Sequence, residues 1–78
     1  MIDATPIYTD EVLRLINMKD EMIYAKDISP VIHIKPDTII RYVKTGTWDA
    51  DRLGNFIESG RCVKFYRIDF LRKGGWIQ

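Results

Sequence analysis

A chain of 78 residues, 46% of them apolar and 12% aromatic, has room for one small domain over 1–78; it is too short for a large two-lobed enzyme and too hydrophobic for a disordered tail. Its 12 Lys and Arg stand against 11 Asp and Glu, and its one cysteine, Cys62, excludes both an internal disulfide framework and a thiolate zinc site. No apolar run approaches the roughly 20 residues of a membrane span, and Met1–Thr5 has neither the basic start nor the apolar stretch of an export signal, so a cytoplasmic protein without membrane contact is expected.

The balanced charge conceals a skew. Residues 1–30 carry three bases and six acids, whereas residues 31–78 carry nine bases and five acids. A basic C-terminal part implies an anionic partner, of which a phosphate backbone is the simplest.

In chain order, Thr9-Asp10-Glu11 supplies a capping hydroxyl and two acids at the start of a helix over about 9–21, with Val12, Leu13, Leu15 and Ile16 on its apolar side and Met18 and Met22 extending it. This face packs on its own domain or on a second copy. Asp27 is read as the cap of a helix beginning at Ile28, with Pro30 in its first turn and Val31 and Ile32 inward. After a three-residue break at His33-Ile34-Lys35, Pro36 or Asp37 opens another helix, with Ile39, Ile40 and Val43 on one side and Gly46 as its stop. Together these form a helix pair over about 25–46.

Trp48-Asp49-Ala50-Asp51 reads as an irregular loop or a short helical turn. A hairpin follows over about 56–66, with Ser59-Gly60 at its turn and Val63 and Phe65 alternating with Lys64. Ile68, Phe70 and Leu71 close the core within a segment over 67–78. The fold class is therefore α+β, mainly α with a small β-hairpin.

Two short helices joined by three residues and followed by a basic hairpin have the layout of a winged helix-turn-helix, here preceded by an N-terminal helix. The usual spacing wants a small residue, a turn residue and two apolar positions, which fall on Ser29, His33, Ile39 and Tyr42. The stretch from Tyr24 to Tyr42, with Gly60-Arg61-Cys62-Val63-Lys64-Phe65-Tyr66-Arg67-Ile68-Asp69-Phe70-Leu71 downstream, resembles the excisionase-type and MerR-type winged helix-turn-helix domains of small phage-encoded proteins. The resemblance covers about residues 23–72 and departs at Tyr66, where those domains carry proline. It implies a DNA-binding protein acting as an excisionase, a transcriptional regulator or the recognition part of a small terminase subunit.

The positions that match family contacts are Thr38, Arg41, Tyr42 and Lys44 on the second helix, and Arg61 and Lys64 on the hairpin. Arg41 is the candidate for a bidentate contact with guanine, Lys35 for phosphate, and Arg61, Lys64 and Arg67 for a positive wing. Asp37 is read as a helix cap, His33 as a turn residue and Cys62 as a buried structural thiol. Asp49 and Asp51 are read as turn formers, and Trp48 and Trp76 as core or interface residues. No nucleophile set, phosphate loop or metal-ligand spacing is present, so neither an enzyme nor a cofactor is expected. The expected partner is double-stranded DNA, bound as a homodimer or cooperative multimer because one such module makes few base contacts. The alternative is a protein-binding module on the same scaffold, suggested by the near-zero net charge, the acidic N-terminal helix and exposed aromatics at Tyr8, Trp48 and Trp76.

Overall fold

A computed structural model describes residues 8–78. The Met1–Thr5 stretch inspected for an export signal lies outside them. Among the described residues, five helices and a small three-stranded antiparallel sheet make an α+β fold. No helix among the described residues is long and apolar enough to cross a membrane.

Helix α1 (Asp10–Asn17) starts as its sequence demands, with the Thr9 hydroxyl accepting from the Val12 N–H at 3.3 Å and Asp10 and Glu11 facing the positive end of the helix dipole. Val12 and Leu15 are buried and Ile16 is packed against their cluster, so this side meets the chain's own core, whereas Leu13, expected on the same side, is exposed. The helix does not reach residue 21. It ends at Asn17, Met18 is extended, and Met22–Tyr24 forms strand β1 instead. Arg67, remote in sequence, explains the early stop: its guanidinium donates to the carbonyls of Leu15 (2.9 Å) and Ile16 (3.4 Å), two acceptors at the helix end that lack intrahelical partners.

Helix α2 (Ala25–Ile32) begins three residues before the expected start. Asp27 does cap it, but from within the first turn: its carboxylate reaches back to accept from the Tyr24 N–H at 3.0 Å and meets the Arg14 guanidinium at 3.4 Å. Pro30 consequently lies in the helix interior, where it removes one ladder bond, rather than in the first turn. Ile28 is fully buried, whereas Val31 and Ile32 are half-buried against the core. His33 ends α2 in the left-handed conformation (φ 59°, ψ 38°), with its N–H donating to the Ser29 carbonyl at 2.8 Å. It is thus the turn residue its position required.

Helix α3 (Pro36–Lys44) has proline in its first turn and Gly46 just past its end at φ 75°. The cap position belongs to Lys35, and Asp37 sits in the first turn, where its charge suits the dipole without capping the helix. After the short helix α4 (Ala50–Leu53), strands β2 (Phe56–Ser59) and β3 (Cys62–Tyr66) form the hairpin around Gly60-Arg61. The strand order is β1-β3-β2, so β3 pairs on both edges, with Ile23 opposite Phe65 on one side and Phe56 opposite Phe65 on the other. Helix α5 (Arg67–Lys73) closes the fold.

The core joins Val12, Leu15, Ile23, Ile28, Ile39, Val43, Val63, Phe65, Phe70 and Leu71 around Trp48, whose ring lies 4.9 Å from Phe65 and whose indole N–H donates to the Gly54 carbonyl at 2.9 Å. Ile68, expected inside, is exposed. Trp76 folds back, its ring 5.6 Å from Phe70.

Candidate nucleic-acid interface

Helix α3 buries Ile39 and Val43 and half-buries Pro36 and Ile40. Thr38, Arg41, Tyr42 and Thr45 follow the i, i+3, i+4, i+7 spacing of one outward stripe. Arg41 and Tyr42 are exposed and Thr38 half-buried. Tyr42 therefore does not fill the second apolar position of the expected pattern; Val43 turns inward in its place. The C-terminal end of the stripe is held firmly, because the Tyr42 carbonyl accepts from the N–H groups of Thr47 (2.8 Å) and Trp48 (3.1 Å) and the Thr45 hydroxyl donates to the Arg41 carbonyl at 2.8 Å.

Of the six basic residues read from the sequence, Lys64 is half-buried and without an ion pair, and the other five divide into three groups. Lys35, Arg41 and Arg61 are exposed and make no ion pair with any described residue. Lys44 is exposed but pairs with Glu58 on β2 at 3.1 Å, which ties the end of α3 to the hairpin. Arg67 is not a wing residue at all. It is buried at the start of α5, where Nε donates to the Asp20 carbonyl at 2.6 Å and Nη1 to the carbonyls of Leu15 and Ile16, so its charge is enclosed by backbone acceptors.

The hairpin sorts its side chains by strand alternation. Val63 and Phe65 point into the core; Cys62, Lys64 and Tyr66 point out. Cys62 is accordingly exposed, which corrects its reading as a buried thiol. Lys64 is half-buried on the outer sheet face, opposite Tyr24 on β1 and Ile57 on β2, whereas Arg61 stands at the hairpin tip.

A shallow groove joins this tip to the starts of both helices of the pair, lined among others by Tyr24, Lys26, Pro36, Ile40, Arg61 and Cys62. Lys26 is exposed there, with its ammonium 5.9 Å from the Tyr24 ring centroid. Sequence reasoning missed it because starting α2 at Ile28 left Lys26 in a connecting segment. Reading Asp27 as a residue that reaches back from inside the first turn would have found it.

Two of the aromatics expected at the surface are internal or packed: Trp48 is buried and Trp76 lies on Phe70. Tyr8 is exposed, with its hydroxyl donating to the Trp76 carbonyl at 2.9 Å. Among the described residues no three or more His, Cys, Asp or Glu side chains are gathered as metal ligands would be. No protein-family model matches the chain, nor does any curated protein or solved structure.

Proposed function

We propose that this chain is a winged helix-turn-helix protein that reads duplex DNA, in the manner of an excisionase-like or MerR-like regulator. One observation carries the reading: Lys35, Arg41 and Arg61, each exposed and without an ion pair to a described residue, belong to the entrance of α3, its outward stripe and the hairpin tip. The element order supports it, since a strand before the helix pair joins the hairpin in a β1-β3-β2 sheet and holds the hairpin beside α3.

In this reading α3 enters the major groove. Arg41 donates two parallel hydrogen bonds to guanine O6 and N7, and Thr38 and Tyr42 contact neighbouring base edges or phosphates. Lys35 and Arg61 neutralise phosphates on either side and add affinity that falls with salt. With so few base contacts per chain, two or more copies act together on repeated half-sites. The alternative of a protein-docking module loses support from Trp48 and Trp76, which are no longer free surface anchors.

The test is a titration of the purified protein into the DNA upstream of its own gene and into an unrelated duplex, at two salt concentrations, with mass measured by light scattering. Selective, salt-sensitive binding is expected. Arg41→Ala should lose about 1–3 kcal/mol of selectivity, and Arg61→Ala should weaken binding to both duplexes and lower the salt slope by about one. Absence of binding to either duplex at low salt would overturn the reading.

A further inference from the structure

The duplex contacts proposed above reach the outer face of the sheet only at its tip, through Arg61, and give no part to Lys64 or to the tyrosines beside it. The outward positions of this face are Met22 and Tyr24 on β1, Cys62, Lys64 and Tyr66 on β3, and Ile57 and Ser59 on β2. Tyr24, Tyr66 and Ile57 remain 44%, 38% and 44% exposed, so three large side chains on this face stand open to solvent. The face looks away from the core against which α3 packs.

We propose that this face binds a short single-stranded nucleic acid, with bases stacked on Tyr24 and Tyr66 and a phosphate held by Lys64. The geometry follows from the register. Tyr24 lies directly opposite Lys64, and Tyr66 is two residues farther along the same strand as Lys64. The two tyrosines are therefore diagonal neighbours, about 7–8 Å apart, each able to carry its own base with the lysine beside both. Lys26, above the Tyr24 ring, and Arg61, at the tip, continue the positive charge toward one end of the face. At the other end Glu21, Asp69 and Arg72 line a groove with Tyr66, so that end carries mixed charge and a strand would leave toward the basic end at Arg61.

Charge selects among possible occupants. None of the outward positions is acidic, and Lys64 makes no ion pair with any described residue. A two-fold contact that laid this face on itself would find no acidic partner for Lys64 among its outward strand positions. The fitting partner joins flat π-faces to negative charge, as unpaired nucleotides do.

The test is fluorescence anisotropy of a short labelled thymidine oligonucleotide titrated with the full chain. Wild type should bind at low salt. Tyr66→Leu and Tyr24→Leu, which keep apolar bulk, should each weaken binding about tenfold, while Tyr66→Phe should retain it. Lys64→Gln should lower the salt slope by about 0.7. Arg41→Ala should leave this binding unchanged while reducing duplex selectivity, so the two surfaces fail separately. No binding at low salt, equal affinity of the leucine variants, or preferential binding of an acidic tyrosine-containing peptide would each overturn the proposal. Thermal unfolding of every variant, with Tyr66→Phe as the matched control, separates loss of a ring from loss of the fold.

Discussion

The end of the molecule built by α1 and α5 and the end built by α3 and the hairpin use charge in opposite ways. At the first, the buried and half-buried ionic groups are answered from within, Arg67 by three carbonyls, Asp27 by Arg14 and the Tyr24 N–H, and Asp69 by the Asn55 N–H at 2.7 Å, while Arg72 and Lys73 stay exposed at the end of α5. At the second, Lys35, Arg41 and Arg61 have no ionic partner among the described residues. Internal saturation rigidifies a domain of this size, and the exposed charge of Lys35, Arg41 and Arg61 favours an anionic ligand. A sequence count of bases does not separate a buried, answered charge such as Arg67 from an exposed one such as Arg61.

The comparison breaks most directly at Arg67. Arg67→Ala should destabilise the domain by about 3 kcal/mol or more in denaturant unfolding, since it strips buried carbonyls of a charged donor; an unchanged midpoint would show that the clamp contributes nothing. Next comes Gly54→Ala. A Cβ there would lie 2.8 Å from the Phe70 backbone N at φ 92°, so a loss of about 2–3 kcal/mol is expected. Gly60→Ala, at φ 61° in open space on the hairpin, should cost only about 1 kcal/mol in the same assay. Equal losses at the two glycines would contradict the close approach of α5 to Gly54.

At the open end the effects on stability shrink and those on binding take over. Arg41→Ala should shift unfolding by less than about 0.5 kcal/mol, in contrast to its effect on duplex selectivity. The smallest change is Glu58→Gln, which releases Lys44 from an exposed pair: stability should move by less than about 1 kcal/mol, while duplex affinity rises and its salt slope steepens by up to about 0.9. A fall in affinity would instead mean that Glu58 holds Lys44 in its working position.

Local signals carried the helix pair and the hairpin. Pro36 and Gly46 bracket α3, His33 takes the left-handed turn, and the alternation of Val63 and Phe65 orients β3. The same alternation implies an outward Cys62, a step the reading of a buried thiol overlooked. What stayed hidden depends on distant partners. Strand β1 is three residues long and is defined by pairing with β3, so Met18 and Met22 looked like a continued helix stripe. Arg67 follows the hairpin directly and resembles a wing residue by charge, yet its role is fixed by carbonyls near residues 15–20 that no local pattern reveals. Among the candidate contact residues, Lys35, Thr38, Arg41, Tyr42 and Arg61 were legible because helix period and turn chemistry alone determine where they face.

The order β1-β3-β2 also carries a consequence for how the chain is made. The central strand is the last of the three to leave the ribosome, and both earlier strands pair only with it. A nascent chain that has not yet reached Cys62 can form helices and the contacts between α2 and α3, but it has no sheet, and Ile23 and Phe56 have no strand to lie against. The guanidinium that stops α1 arrives later still. Biosynthesis therefore leaves α1, β1 and β2 waiting for β3 and α5, and the cooperative step of folding follows their synthesis.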